Sequence, residues 1–371
     1  MGKFQEIDEQ RDYVYSSFYD DIGDPIIRVI ALMQRKHLKQ HLLCLLWYNN
    51  TISEKVVSRV YVIPESHYGY RYRSALILCP LKAEQKPEYI TITRDVTFTL
   101  TNKLKVVYPG VRIYNITKCY PALHPNFGDK QQILENIETS SAIEDKHFVF
   151  YIQTVNIDVE TLLGKYEEIG VVNVYKWQLP VDSHDIHYYG QLACIHDCLY
   201  RYLNSSRWIL FADLDEIVVP ILTKIFPNPV SDVIFRQGNI STNCRSFMFL
   251  NAFIPTFFPD TNLVFPWKAV AKSIGLKYIL KTKRGAILGS GQRSKVLVNP
   301  RGVEIMSIHV VSVFRYNYTG CVIPPTKALL HHYRSSDPND LTLRGPFKEI
   351  LDLQLFADLI ISKYLKAKKK Y

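Results

Sequence analysis

The chain has 371 residues, of which 47% are apolar and 22% are charged, as is typical of a folded globular protein. This composition excludes an intrinsically disordered protein, a collagen-like repeat and a small disulfide-rich knot. The net charge of +10 favours anionic partners such as nucleotide sugars, nucleic acid or acidic lipids. The basic residues are spread along the chain and cluster only at its last few positions, so we expect no nucleic-acid partner.

The first 110 residues consist of short apolar or β-branched runs that polar or proline-containing breaks separate. This pattern predicts β-strands. The predicted strands cover residues 26–33, 42–48, 55–63, 75–81 and 89–100. Because no convincing helix longer than two turns accompanies them, we interpret residues 1–110 as a β-rich accessory domain.

Predicted strands and helices alternate from about residue 111. The strands are predicted over 111–120, 147–155, 171–179 and 207–220, and the helices over 130–143, 159–170 and 187–206. This alternation predicts an α/β fold in which helices flank a mostly parallel sheet. We expect this domain to cover 111–336, with further strands over 294–300 and 303–314. A helical extension over 337–371 follows, and its terminal helix is predicted over 346–370.

The cysteine and sequon patterns bear on the cellular compartment. No CxxC pair occurs among the seven cysteines, which argues against a zinc ribbon or a thioredoxin-type site. Cys194 and Cys198 share one predicted helix face, where burial or pairing with other cysteines is favoured over a mutual disulfide. Five Asn-X-Ser/Thr sequons indicate a secretory compartment. These sequons are at Asn49, Asn115, Asn204, Asn239 and Asn317.

The start of the chain is polar and acidic, without the apolar core of a signal peptide. No apolar stretch reaches the length of a membrane span. From the sequence we therefore expect a soluble polypeptide. It is either cytosolic or an amino-terminally incomplete sequence whose anchor lies upstream.

The segment 208–220 carries the most specific chemical signal in the chain. Five apolar residues, 208–212, lead into Asp213, Asp215 and Glu216, and a second apolar run follows. Carboxylates at the end of a buried strand lose their hydration unless they are paired or bind a metal. Mg²⁺ and Mn²⁺ take oxygen ligands and stabilise a diphosphate. We therefore predict that Asp213 and Asp215 bind a divalent cation.

A further ligand is predicted in the segment 328–334, where His331 and His332 follow an apolar run. Imidazole is a good ligand for Mn²⁺ and a poor one for Mg²⁺. The residues alone leave open which histidine binds, and whether the two form only a surface pair.

With these motifs in place, the sequence resembles glycosyltransferase family 92 over nearly its whole length. The matching stretches are HFVFYIQ (147–153), VVNVYKWQLP (171–180), HYYGQLACIHDCLYRY (187–202), WILFADLDEIVVP (208–220), RSKVLVNP (293–300), SIHVV (307–311) and LLHHYR (329–334). Amino-terminal stretches also match, at 14–21, 27–32 and 76–81.

The resemblance implies a type A glycosyltransferase fold and a metal-dependent, inverting enzyme that uses a nucleotide sugar. Family members transfer galactose in a β-1,4 linkage to glycans of glycoproteins, and they are typically type II membrane proteins of the Golgi. UDP-galactose is therefore the expected donor and Mn²⁺ or Mg²⁺ the expected cofactor. Membrane association is expected only through an anchor that this chain lacks.

The resemblance also assigns residues. It places the metal and donor ligands at Asp213 and Asp215, favours His332 over His331 as a metal ligand, and assigns Lys295 to the family's basic strand motif. Lys295 or Arg293 is expected to neutralise a phosphate of the nucleotide sugar.

The sequence does not assign two features of the expected enzyme, the nucleotide loop and the catalytic base. Residues 120–129 replace the small, apolar-rich nucleotide loop of the family. Inversion also needs a base for the acceptor hydroxyl, and the weak candidates are Asp260 and Glu304, between which nothing in the sequence decides. The alternative function is a catalytically inactive family member that binds carbohydrate.

Overall fold

A computed structural model of the chain describes residues 2–64, 69–82, 84–144, 146–222, 228–235, 243–335 and 346–371. The predicted boundary near residue 336 and the sequon at Asn239 lie outside these ranges.

The amino-terminal strands form one curled sheet, as the β-rich sequence predicts. The strands are β1 Gln5–Ile7, β2 Asp12–Asp20, β3 Ile26–Gln34, β4 Leu43–Tyr48, β5 Thr51–Val57, β6 Arg59–Val62, β7 Tyr72–Pro80, β8 Tyr89–Thr93 and β9 Leu104–Val107. Their order is β5-β4-β8-β9-β2-β3-β7-β6, with β1 beside β2. The predicted strand over 89–100 ends early, because a turn closed by Asp95 and Phe98 follows β8.

The sheet buries both of its faces, which explains why its strands are apolar almost throughout. On β3, Ile27 and Val29 point into a core enclosed by the sheet itself. Ile30 and Leu32 point to the other side and pack in a second core with residues of the region beyond 110. Alternating residues of one strand therefore fill two cores. The segment 1–110 is thereby attached to the rest of the protein through an extensive apolar contact.

The second large sheet is mixed. Its strands are β10 Tyr114–Cys119, β11 His147–Ile152, β12 Val172–Lys176, β13 Ser206–Phe211, β15 Cys244–Phe249, β18 Lys295–Val298 and β21 Thr319–Val322. Their order is β12-β11-β10-β13-β18-β15-β21. The first four strands are mutually parallel, as predicted, whereas β18 pairs antiparallel with both of its neighbours. The carboxyl ends of β10, β11 and β13 consequently lie at one edge, where ligands of such sheets bind.

The remaining strands form small sheets. They are β14 Glu216–Pro220, β16 Asn251–Pro255, β17 Lys283–Arg284, β19 Val303–Met306, β20 Val311–Phe314, β22 Ala328–Arg334 and β23 Lys348–Glu349. The three-stranded sheet β14-β22-β16 positions the candidate site, while β17 pairs with β23 and β19 with β20. The single strand predicted over 207–220 is therefore two strands, β13 and β14, which belong to different sheets and are joined by the acidic turn.

Helices cover the faces of the mixed sheet. They are α1 Lys130–Ile143, α2 Ile157–Glu168, α3 Gln191–Arg201, α4 Pro229–Phe235, α5 Lys268–Ile274, α6 Lys277–Leu280 and α7 Ala357–Lys370. Asp129 caps α1 by accepting a hydrogen bond from the Gln132 N–H, and Asn156 caps α2 in the same way. Helix α7 packs in the same core as α1.

Two predicted helices are shorter in the structure. The helix predicted over 187–206 starts only at Gln191, because Tyr188, Tyr189 and Gly190 adopt left-handed backbone angles. The terminal helix predicted over 346–370 begins at Ala357, after β23 and a short 3₁₀ turn. Local apolar spacing is the same on both sides of these starts, so periodicity alone does not place them.

Three disulfides join distant parts of the chain. They are Cys44–Cys79, Cys119–Cys198 and Cys244–Cys321. Cys194 is buried as a free thiol. The prediction that Cys194 and Cys198 do not pair with each other is confirmed. Within the described ranges, no helix has both the length and the apolar character needed to cross a membrane.

Glu135 on α1 should make the stability of the protein depend on pH. The side chain is 2% exposed, and its Oε1 accepts a hydrogen bond from the Tyr278 N–H at 2.6 Å. Burial raises the pKa of Glu135 from 4.5 to about 8. The folded state therefore keeps a proton that the unfolded state releases. We expect the free energy of unfolding to fall by a few kcal/mol as the pH rises from about 4.5 to about 8.

The Glu135→Gln variant isolates this effect, because it keeps the Oε1 acceptor and removes the titration. Urea denaturation at about pH 5 and about pH 8 measures the change in the free energy of unfolding between these pH values. We expect a smaller loss of stability between the two pH values in Glu135→Gln than in the wild type. Equal losses in the two proteins would contradict the assignment.

Candidate functional site

The site is built around the acidic turn between β13 and β14. The Asp213 N–H donates to Glu216 Oε2 at 2.7 Å, and the Glu216 N–H donates to Asp213 O at 3.1 Å. These two bonds close the turn and present the side chains of Asp213 and Asp215 at the carboxyl end of β13. The arrangement confirms the predicted position of the two carboxylates at a strand end.

Strand pairing brings His332 to this turn over more than 100 residues of sequence. β14 and β22 are antiparallel, and Glu216 is the register partner of His332. Nε2 of His332 lies 3.3 Å from Asp215 Oδ2, and Nδ1 lies 3.3 Å from Glu216 Oε1. Asn251 on the neighbouring β16 contacts Nδ1 through its side-chain Nδ2 at 3.0 Å.

The two histidines of the pair have opposite environments, since they alternate along β22. Burial lowers the pKa of His331 to about 3, and Asp352 Oδ2 lies 4.0 Å from its Nε2. Burial also opposes the charged form of His332, but the hydrogen bond to Asp215 and the carboxylate charges outweigh burial and raise its pKa. His332 therefore belongs to the site, and His331 lies on the other side of the strand.

Lys295 at the start of β18 is the cation of the site. Its side chain is 4% exposed, and Nζ lies 2.8 Å from Asp213 Oδ2 and 3.5 Å from Glu216 Oε2. Burial opposes a charged ammonium, but the two carboxylates outweigh it and raise the pKa of Lys295. Burial likewise opposes a charged Asp213, yet the Lys295 ammonium holds its pKa below the ordinary value. Glu216 is more deeply buried, and burial raises its pKa to about 7.

A cavity of about 220 Å³ opens beside the acidic turn. One wall is the loop after β10, through residues 120–124 and Phe127. Another wall is formed by Tyr188 and Tyr189, and residues 213–215 close the cavity. The unusual segment 120–129 thus lies next to the carboxylate pair, where a nucleotide loop is expected. Asp213 and Asp215 give this cavity an acidic end, and its walls are mainly apolar and aromatic.

The tyrosine wall is held in a strained conformation. Tyr188 and Tyr189 have φ angles of 41° and 56°, which cost about 1–2 kcal/mol each for residues other than glycine. Trp177 fixes the turn by donating its Nε1–H to Tyr189 O at 2.9 Å. Partial burial and the nearby carboxylates of Asp213 and Asp215 raise the pKa of Tyr188. Strain of this kind concentrates at functional sites, which supports a role for the two rings in the cavity.

The donor atoms of the site suit a divalent cation. Asp213 Oδ1 is buried and makes no hydrogen bond, and the Asp215 carboxylate and His332 Nε2 face each other. Glu216 lies behind Nδ1 of His332, the usual arrangement around a metal-binding histidine. Within the described part of the chain, no three such side chains already stand together as a metal site. Mg²⁺ and related ions commonly take one or two carboxylates and complete their shell with substrate phosphates, which fits this partial set.

The other predicted residues lie elsewhere. Arg293 is exposed two residues before Lys295. Asp260 pairs with Lys281 at 3.0 Å, and Glu304 pairs with Arg28 of the amino-terminal sheet at 3.1 Å. Neither acid is among the residues that line the cavity.

Several residues of the site carry no separate signal in the sequence. Asn251 reaches His332 only through strand pairing. His309 lies in the connection between β19 and β20 and donates its Nδ1–H to Ser294 O, 3.1 Å away and next to Lys295. Burial, followed by the Lys295 charge, lowers the pKa of His309. Tyr188 and Tyr189 are part of a predicted helix. Only the tertiary structure brings these side chains to the acidic turn.

Comparisons with known proteins identify the family of the chain. A sequence model of glycosyltransferase family 92 matches residues 114–367. The beta-1,4-galactosyltransferase galt-1 of Caenorhabditis elegans is 24% identical over 233 residues, which cover 62% of this chain and 50% of galt-1. The galactan beta-1,4-galactosyltransferase GALS3 of Arabidopsis thaliana is 27% identical over 147 residues, 35% of this chain and 29% of GALS3. The chain thus spans half or less of the length of these relatives.

Solved structures match only weakly. Glucosyl-3-phosphoglycerate synthase from Mycobacterium tuberculosis, in complex with Mn²⁺, UDP and glucosyl-3-phosphoglycerate, is 12% identical with a TM-score of 0.25. The match covers 51% of this chain and 58% of that chain, and a score this low carries no conclusion about the chain. The family match covers more than two thirds of the residues and includes the acidic turn, Lys295 and His332. The chain belongs to glycosyltransferase family 92.

Proposed function

We propose that the chain is a metal-dependent, inverting glycosyltransferase with a type A fold. Its reaction transfers galactose from UDP-galactose to a glycan hydroxyl in a β-1,4 linkage. The observation that carries the proposal is the meeting of Asp213, Asp215 and His332 beside a cavity at the carboxyl edge of parallel strands. The names of the curated relatives favour galactose as the donor sugar.

The shape and charge of the cavity fit a nucleoside diphosphate held through a cation. Aromatic and apolar side chains of 120–127, Tyr188 and Tyr189 offer a surface for a flat base and a ribose. The acidic end would repel a free diphosphate, and Lys295 is already paired with two carboxylates. A divalent ion held by Asp213, Asp215 and His332 would supply the positive charge that stabilises the departing diphosphate.

The chain's own residues orient the site for this reaction. Lys295 keeps Asp213 ionised, and Asn251 Nδ2 and Glu216 Oε1 lie 3.0 and 3.3 Å from Nδ1 of His332. Inversion requires the acceptor oxygen to bond to the anomeric carbon as the bond to the diphosphate oxygen breaks. The proton of the acceptor hydroxyl passes to a base. Among the residues that the structure describes, no carboxylate other than Asp213 and Asp215 lines the cavity, so the base is left unassigned.

The disulfides and sequons support a secretory location. Disulfides persist in oxidising compartments, and this chain has three. Asn49, Asn115 and Asn317 are exposed and open to glycosylation, whereas Asn204 is half-buried. We propose a Golgi location with the acceptor on a glycoprotein, and attachment to the membrane through a segment outside this chain.

Release of UDP from a panel of UDP-sugars tests the proposal. With Mn²⁺ and a glycan acceptor array, we expect UDP-galactose to give the highest rate, EDTA to abolish release, and added Mn²⁺ to restore it. A folded protein that shows no manganese-dependent UDP binding would refute the proposal. Manganese-dependent UDP binding without transfer to any acceptor would instead favour the inactive, carbohydrate-binding alternative.

A further inference from the structure

The carbonyl groups on both sides of Asp215 point into the protein and are held by buried side chains. Leu214 O accepts hydrogen bonds from Asn136 Nδ2 and from the Tyr278 hydroxyl, both at 2.6 Å. Glu216 O accepts a hydrogen bond from Lys118 Nζ at 2.9 Å. None of these three donor residues is more than 1% exposed.

These donors come from three separate elements and are linked to each other. Lys118 lies on β10, Asn136 on α1 and Tyr278 on α6. Lys118 Nζ also donates to Asn136 Oδ1 and to Ser140 Oγ, each at 3.1 Å. The hydroxyl of Tyr120 donates to the same Asn136 Oδ1 at 2.6 Å. The acidic turn is therefore anchored to a connected polar cluster and not to one neighbour.

Such a cluster is an unusual way to satisfy two turn carbonyls. Turns normally lie at the surface, where water donates hydrogen bonds to their carbonyl groups. Burying a lysine ammonium is unfavourable unless several hydrogen bonds compensate it. Leaving buried carbonyls unpaired is also unfavourable. A connection between β13 and β14 at the surface would need neither a buried lysine nor buried donors for its carbonyl groups. The cluster therefore indicates that the geometry of the acidic turn is constrained.

The residue between the two held carbonyls is Asp215. Its own carbonyl accepts the Tyr333 N–H at 2.8 Å, so the main chain is fixed at three successive peptide groups. The carboxylate of Asp215 is then held 3.3 Å from His332 Nε2. A fixed main chain restricts the rotation and displacement of this side chain before any ligand binds.

We propose that Tyr278, Asn136 and Lys118 are positioning residues, which hold Asp215 in the geometry that receives the cation and the donor diphosphate. The inference rests on the proposed function of Asp215 and His332. These three residues touch no substrate in this account. They act through the backbone of the acidic turn, and preorganised sites of this kind bind more tightly because less ordering accompanies binding.

The Tyr278→Phe variant tests this inference, because it removes one hydroxyl and keeps the packed ring. Tyr72→Phe is the matched control. Tyr72 is 2% exposed, and its hydroxyl donates to the backbone Arg11 O at 2.9 Å in the amino-terminal sheet. Both variants lose one hydroxyl-to-carbonyl bond of a buried tyrosine, so both are expected to lower the melting temperature by a few degrees. Calorimetric titration of UDP in the presence of Mn²⁺ gives the second readout.

We expect Tyr278→Phe to weaken manganese-dependent UDP binding about tenfold, and Tyr72→Phe to leave it within about twofold of the wild type. Unchanged affinity in Tyr278→Phe would overturn the inference and leave the proposed function standing. Equal weakening in both variants would overturn it too, since the effect would then follow stability. Absence of manganese-dependent UDP binding in the wild type would refute the proposed function and the inference together.

Discussion

The Asp215→Asn variant is expected to lose nearly all transferase activity while it keeps its fold. The substitution removes a negative charge beside His332, at the position proposed to bind the cation. Stabilisation of a leaving diphosphate by a bound cation contributes several kcal/mol, so kcat/KM should fall on the order of a thousandfold or more. The Asp215 side chain is 30% exposed, and its amide replacement should therefore change the free energy of unfolding by less than about 1 kcal/mol.

Steady-state rates of UDP release measure the loss of activity in Asp215→Asn. Circular dichroism and a melting curve measure its fold and stability separately. The control is Asp158→Asn, the same chemical change at an exposed carboxylate in the first turn of α2. It should retain wild-type kcat/KM, with a small stability loss from the helix terminus. A correctly folded Asp215→Asn enzyme with near-normal turnover would remove Asp215 from the proposed machinery.

The sequence predicts those parts of the fold that depend on local pattern. The helix predicted over 130–143 coincides with α1, and the buried strands β10, β11, β12 and β13 lie where apolar runs end in polar breaks. What local pattern misses is the partner of each strand. The run 208–220 is uniformly apolar apart from its acids, yet β13 pairs with β10 and β18 while β14 pairs with β22. Strand pairing is a long-range property that apolar spacing does not encode.

The same limit applies to the site. Asp213 and Asp215 are visible in the sequence because three acids interrupt an apolar run, a pattern that burial makes unfavourable without a ligand. The preference for His332 over His331 as a metal ligand comes from the family resemblance, and the alternation of side chains along β22 places His332 beside the acidic turn. Lys118 and Tyr278 look like ordinary strand and helix residues in the sequence. Their hydrogen bonds to the acidic turn exist only once three elements have packed together.

The Lys295→Met variant is expected to lose much of its stability. Lys295 is the cation that compensates two carboxylates, Asp213 at 2.8 Å and Glu216 at 3.5 Å. Met has a similar length and fills the space of the buried chain, so the variant isolates the loss of charge. Removing one partner of a buried ion pair typically lowers the free energy of unfolding by about 3–5 kcal/mol, because the other partner remains charged and unpaired. Urea denaturation near neutral pH measures this change.

A second substitution separates the loss of charge pairing from simple loss of packing. Glu216 is 1% exposed, and burial already raises its pKa to about 7. Without Lys295 this acid either stays charged and unpaired or takes up a proton that the unfolded state lacks, and either state lowers the stability near neutral pH. Combining Lys295→Met with Glu216→Gln removes this titratable acid and should recover about half of the lost stability, a coupling of roughly 2 kcal/mol. If the two substitutions instead lower the free energy of unfolding additively, Lys295 stabilises the site through its packing and not through its charge. In that case its pairing with Glu216 would not explain why a lysine is buried at the acidic turn.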